Sequence, residues 1–186
     1  MADHDLEVVR ERVIEFMNEF LAQSGIPLEV SRVDDRAYRN LQKHQGSEIE
    51  WDFAVSFLNE EEHFDLAIGI KLDDNIDGVA VGIYREESRI LEVQAVESFI
   101  RYDEHHPLRG RMVALTVIAA AYFASLIEGA EGVHFLDPLN DTLIKYYERF
   151  GFSLDVSYDE TCVKRMVSQL DELLEKLPQI IKDHLS

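Results

Sequence analysis

Two stretches hold residues whose types and spacing could do chemistry. The first is Arg109 to Ala114, reading RGRMVA, which leads into a long uncharged run. A helix beginning there presents free N–H groups and the positive end of its dipole, which favour an anion. Gly110 lets the backbone come close to a ligand, and Arg109 and Arg111 add positive charge. On spacing alone, a glycine between two arginines is more often an ordinary surface turn. The second stretch is Asn140 to Phe152, reading NDTLIKYYERFGF. Asn140 and Tyr147 stand two helical turns apart and so share a face. A phenol with a pKa of about 10 can protonate a basic leaving group, which makes Tyr147 a candidate proton donor. The competing reading is that Tyr146 or Tyr147 simply packs in the core.

These residues need elements to position them. Leu6, Val9, Val13, Phe16 and Phe20 recur at helical steps, predicting a helix over 5–24 that Gly25 and Pro27 stop. A short strand over 28–33 and a short helix over 34–44 follow. The period then changes to two, predicting strands over 51–58, 64–71, 79–85 and 90–99. Their short connections imply antiparallel pairing. The polar loop RYDEHHPLRGR feeds a buried helix over about 111–127, then a strand over 133–136 and a helix over 140–149. The segment from Met166 to Leu185 reads as one helix, with Pro178 as a kink. The order is that of a mixed α/β domain.

Together, the two stretches resemble the GNAT superfamily of acyl-CoA-dependent N-acetyltransferases. That family's pyrophosphate loop reads Arg or Gln, two residues, Gly, one residue, Gly or Ala. Here the frame is Arg109, Met112 and Ala114, after His106-Pro107, with Met112 in the place of the first glycine. The family's downstream Asn, six residues, Tyr, Glu, a basic residue, an apolar residue, Gly and Phe is matched by Asn140, Tyr147, Glu148, Arg149, Phe150, Gly151 and Phe152. The resemblance covers roughly 64–157. It implies a single domain over 1–186, with a helical part over 1–47, a sheet and CoA-binding core over 48–157 and a C-terminal strand or helix over 158–186. The implied fold is a mostly antiparallel central sheet flanked by helices, with extra helices at both ends. It implies acetyl-CoA as cosubstrate, no metal, and direct attack by an amine. Arg109, Gly110, Arg111, Met112, Val113 and Ala114 would cradle the CoA pyrophosphate, and Asn140 would contact the cofactor near the thioester. Tyr147 would protonate the departing thiolate. The strand over 90–99 would splay from that over 133–136 and make room for the pantetheine arm. Glu92 and Glu97, on the former strand, are the candidate bases; a solvated carboxylate is the competing reading for each.

Composition narrows the partners. With 18 Lys and Arg against 37 Asp and Glu among 186 residues, the net charge is −19. That argues against nucleic acid and anionic membranes, whose phosphates recruit Lys and Arg. It favours a cationic amine or a basic protein. The charge is uneven: residues 48–104 hold 16 acidic and 4 basic side chains, while 105–154 hold 5 and 4. The start lacks the basic and apolar pattern of a signal peptide, so a cytoplasmic location is expected. Met112 to Ile127 lacks charges but is shorter than the about 20 residues a bilayer span needs. His105-His106 lacks further ligands at metal-binding spacing. The lone Cys162 excludes an intrachain disulfide and reads as an incidental thiol. A second reading keeps the same fold as a catalytically degenerate acidic binding module or dimeric scaffold for a basic partner. A homodimer is compatible with either.

Overall fold

The change of hydrophobic period organises the chain. The computed structural model describes residues 5–42, 51, 58, 60–100, 103–138, 140–156 and 164–185. Helix α1 (Leu6–Gln23) turns Val9, Val13, Met17 and Leu21 to the interior at three- and four-residue steps. Asp5 caps it, its carboxylate accepting the Val8 N–H. Gly25, at φ +68°, takes the left-handed turn that ends the helix. Strand β1 (Leu28–Ser31) follows, then α2 (Asp35–Gln42), begun where the Asp34 carboxylate accepts the Ala37 N–H at 2.8 Å. Strands β2 (His63–Ile70), β3 (Gly78–Arg85) and β4 (Ile90–Ser98) come next. After them run α3 (Met112–Ser125), β5 (Gly132–Leu136), α4 (Asp141–Glu148), β6 (Ser153–Asp155), β7 (Arg165–Gln169) and α5 (Leu170–Leu185).

The seven strands form one sheet in the order β1-β2-β3-β4-β5-β7-β6. Every neighbouring pair is antiparallel except β4 and β5, which α3 connects in parallel. One face of the sheet carries α1, α3, α4 and α5 over a core that includes Met17, Phe64, Leu91, Leu115, Phe135 and Phe150. The other face carries Ala37 and Leu41 of α2 and Trp51, packed over Ala67, Val79, Val81 and Ala95. Helix α3 is buried nearly all round, so its sequence shows no amphipathic stripe. Among the described residues, no helix is long and apolar enough to cross a membrane.

Two expectations need comment. The strand over 51–58 lies outside the described residues apart from Trp51 and Leu58, as does Cys162. The helix expected from Met166 starts instead at Leu170, because Arg165–Gln169 pairs with both β5 and β6. The strand is only five residues long and runs straight into the helical repeat of Leu170, Leu173, Leu174 and Leu177. That repeat masks the shorter period in front of it.

Candidate active site

The site grows from an irregularity in β4. Val81 faces Ala95 and Gly82 faces Val93, which leaves Gln94 as an extra residue in a β-bulge. Gly82 belongs to this geometry, since a Cβ there would stand 2.5 Å from the Glu92 carbonyl oxygen. On its other side, β4 pairs with β5 only from Ile90/Gly132 to Val93/Phe135. Beyond the bulge β4 continues along β3 to Ser98. The two parallel strands therefore part at the bulge, where their pairing ends.

Tyr147 stands at this parting. Its ring centroid lies 4.7 Å from that of Phe135, the last residue of β5 paired with β4, and 6.3 Å from Phe152. Only 6% of Tyr147 is exposed. Burial, and secondarily the neighbouring Tyr146, pushes its phenol above the usual value. The hydroxyl is therefore protonated throughout the physiological range. Asn140 caps α4, its side-chain oxygen accepting the Leu143 N–H at 2.9 Å. That occupation fixes the helix that carries Tyr147.

The stretch from Arg109 to Ala114 forms the turn into α3. Gly110 sits at φ +72°, and a Cβ placed on it would meet nothing within 4 Å. It supplies the left-handed turn and leaves open space beside the backbone. Arg111 occupies the cap position with no side-chain cap, while its guanidinium donates to the Pro107 carbonyl at 2.7 Å. Met112, Val113 and Ala114 open the helix, where N–H groups have no acceptor one turn earlier within it. Met112 and Ala114 are buried, and Arg109 and Gly110 are exposed. Sequence reasoning missed that Tyr146 reaches this turn: its hydroxyl donates to the Gly110 carbonyl at 3.4 Å. The Arg149 guanidinium lies 5.8 Å from the Tyr146 ring centroid. The paired tyrosines thus divide, one to the strand parting and one to the turn.

The two candidate bases have different surroundings. Glu92 lies before the bulge, opposite His134 of β5. Its oxygens accept from Arg85 Nε and Arg165 Nη1, each at 2.9 Å. Both Glu92 oxygens are held by guanidinium groups, at a residue where β4 still pairs with β5. Arg165 also lies 3.2 Å from His134 Nδ1. Burial first, and Arg165 second, lower the His134 pKa to about 4. Glu97 lies beyond the bulge, opposite Val79 and 6% exposed. Its Oε2 accepts the Trp51 indole N–H at 2.8 Å. Among the described residues, no cluster of His, Cys, Asp and Glu could hold a metal.

Solved structures share this architecture. The spermidine N-acetyltransferase of Vibrio cholerae, a dodecamer, superposes with a TM-score of 0.59 over 81% of this chain and 98% of that one, at 14% identity. The ribosomal-protein-S18-alanine N-acetyltransferase of Escherichia coli gives 0.54 over 77% and 94%, at 10% identity. A protein from Bacillus halodurans gives 0.64 over 84% and 91%, also at 10%. The chain has the GNAT acetyltransferase fold. No protein-family model and no curated protein matches the sequence. Helix α1 precedes the first strand and stacks Phe16 on Tyr122 of α3 with ring centroids 4.1 Å apart. Helix α2 lies between β1 and β2.

Proposed function

We propose that the chain transfers an acetyl group from acetyl-CoA to a primary amine of a cationic acceptor. The observation that carries this reading is the convergence of Tyr147, the parting of β4 from β5, and the start of α3. The turn fits a pyrophosphate on its own features: open space at Gly110, first-turn N–H groups, and Arg109 and Arg111 beside them. The parted strands would admit the pantetheine arm, as in other proteins of this fold.

The amine must lose a proton before its lone pair attacks the thioester carbonyl. Glu97 is the base this site offers, directly or through a water, because it stands on β4 beyond the bulge. The C–N bond forms as the carbonyl π pair moves to oxygen, and collapse of that oxyanion breaks the C–S bond. Backbone N–H groups of the parted stretch of β4 would stabilise the oxyanion. Tyr147, kept protonated by burial, gives its proton to the departing thiolate. The acidic β2–β4 region, and the spermidine acceptor named for a structural neighbour, support a cationic amine.

The test is thiol release from acetyl-CoA across a panel of polyamines, aminoglycosides and peptide amines. Wild type turns over at least one of them, and Tyr147→Phe lowers turnover by about 100-fold or more, with its thermal midpoint close to wild type. No turnover on any amine together with no calorimetric binding of CoA would remove the reading.

A further inference from the structure

We propose that Asp77 and Gly78, at the start of β3, are the positioning residues of the phosphate-binding turn. The inference rests on the reading above, in which the turn ahead of α3 receives the CoA pyrophosphate. It begins from Met112, which stands where the resembling family has a glycine. Met112 is 7% exposed, and its side chain lies against the sheet and away from the open side of the turn. A Cβ on Gly78 would stand 2.5 Å from Met112 Sδ and 2.9 Å from Leu108 Cδ2. Gly78 has no left-handed backbone to require glycine; it is small because the turn docks on it. In this contact the turn contributes the bulk of Met112 and the strand beneath it contributes none.

The preceding residue holds the same turn by polar contact. Asp77 Oδ2 lies 3.1 Å from His106 Nε2. The pair sits off the line of a hydrogen bond, and neither atom has another hydrogen-bond partner. His106 is 9% exposed, and its Nδ1 accepts the Leu108 N–H at 3.1 Å. A neutral ring therefore carries its proton on Nε2, toward Asp77. Asp77 is itself anchored: its N–H donates to Ile68 and its carbonyl accepts from Phe99, each at 2.8 Å. Two successive residues on the β2–β3 connection thus fix His106, Leu108 and Met112. An apolar pair would fill the place of Asp77 and His106 with no polar atom left unpaired. What the polar pair adds is direction, because it sets the ring that holds the Leu108 amide.

The experiment measures CoA affinity by calorimetry and thermal unfolding without ligand. Gly78→Ala is expected to weaken CoA binding by ~10-fold. Adding Met112→Ala in the same chain makes room for the new methyl and returns affinity to within ~3-fold of wild type, a coupling that a double-mutant cycle reads directly. His106→Asn keeps an acceptor for the Leu108 N–H and gives up the reach to Asp77. It is expected to raise KM for acetyl-CoA by ~5-fold while kcat at saturation stays within ~2-fold, the split of lost ground-state binding. Asp77→Asn behaves likewise, and these two variants decide the matter if Gly78→Ala does not fold. Wild-type CoA affinity in His106→Asn and Asp77→Asn, or a Gly78→Ala defect that Met112→Ala leaves unrelieved, overturns the inference alone. A wild-type chain that binds no CoA overturns both this inference and the proposed function.

Discussion

Glu92 and Glu97 share a strand and a sheet face, yet their surroundings differ. Glu92 neutralises Arg85 and the fully buried Arg165. Removing its charge takes this carboxylate away from a buried guanidinium, and breaking one partner of a buried ion pair costs about 3 kcal/mol or more. Glu97 accepts from the Trp51 indole, a neutral donor, and an amide oxygen can take over that acceptor. Glu92→Gln is therefore expected to lower the urea midpoint clearly while turnover of the folded fraction changes little. Glu97→Gln is expected to keep the midpoint and lower turnover by about 100-fold. The reverse assignment of defects would sink the distinction. The sequence shows two carboxylates on one predicted strand but not the bulge at Gln94, which separates them, because a bulge is a property of two paired strands. The same limit hid Tyr146 behind Tyr147: adjacent residues on a helix point about 100° apart, and only the packed helix tells which one meets β5.

At the scale of elements, the long periodic segments are legible and the short ones are not. Helix α1, the β2–β3–β4 meander and the apolar helix α3 each carry a pattern over eight residues or more. β6 and β7 have three and five residues and follow or precede stronger signals. Missing β7 hid a network that ties three strands together: Glu92 on β4, His134 on β5 and Arg165 on β7. This network has a pH consequence. The folded state holds the His134 pKa at about 4, against 6.5 for the free side chain. Between those values the unfolded chain binds the proton and the folded chain does not, so this contribution favours unfolding as pH falls. Stability is expected to be level, for this group, above about pH 6.5 and to decline as pH drops toward 4. Urea unfolding at several pH values across that window measures the slope. His134→Gln keeps an acceptor for Arg165 without the titration, and its slope should be shallower. An unchanged slope would place the proton uptake elsewhere.

At the scale of the whole molecule, the net charge of −19 is divided between regions that would meet different ligands. The acidic stretch builds β2, β3, β4 and their connections, while α3, β5 and α4 come from the nearly neutral stretch. At the end of the sheet where β4 leaves β5, Glu29, Asp34, Asp73 and Asp74 line a concavity of about 220 Å³ on the α2 face. In the proposed reaction a polyamine approaching this end would be attracted, whereas acetyl-CoA, a polyanion, would be repelled by the molecule as a whole and held only by local contacts at the turn. Screening acts on both in opposite directions. Raising ionic strength from about 0.1 M to about 1 M shortens the Debye length from about 10 Å to about 3 Å. KM for a doubly charged amine is then expected to rise several-fold, and KM for acetyl-CoA to stay level or fall, because screening removes the long-range repulsion. kcat at saturation of both substrates should change little, since, Glu97 aside, the charges of the meander are not proposed to take part in the chemical step. Initial rates over a matrix of amine, acetyl-CoA and salt concentrations separate the three quantities. An amine KM indifferent to salt would mean that the acidic meander does not steer the acceptor. Its charge would then have to be explained by docking to a basic surface, which a salt-sensitive complex with a basic protein would reveal.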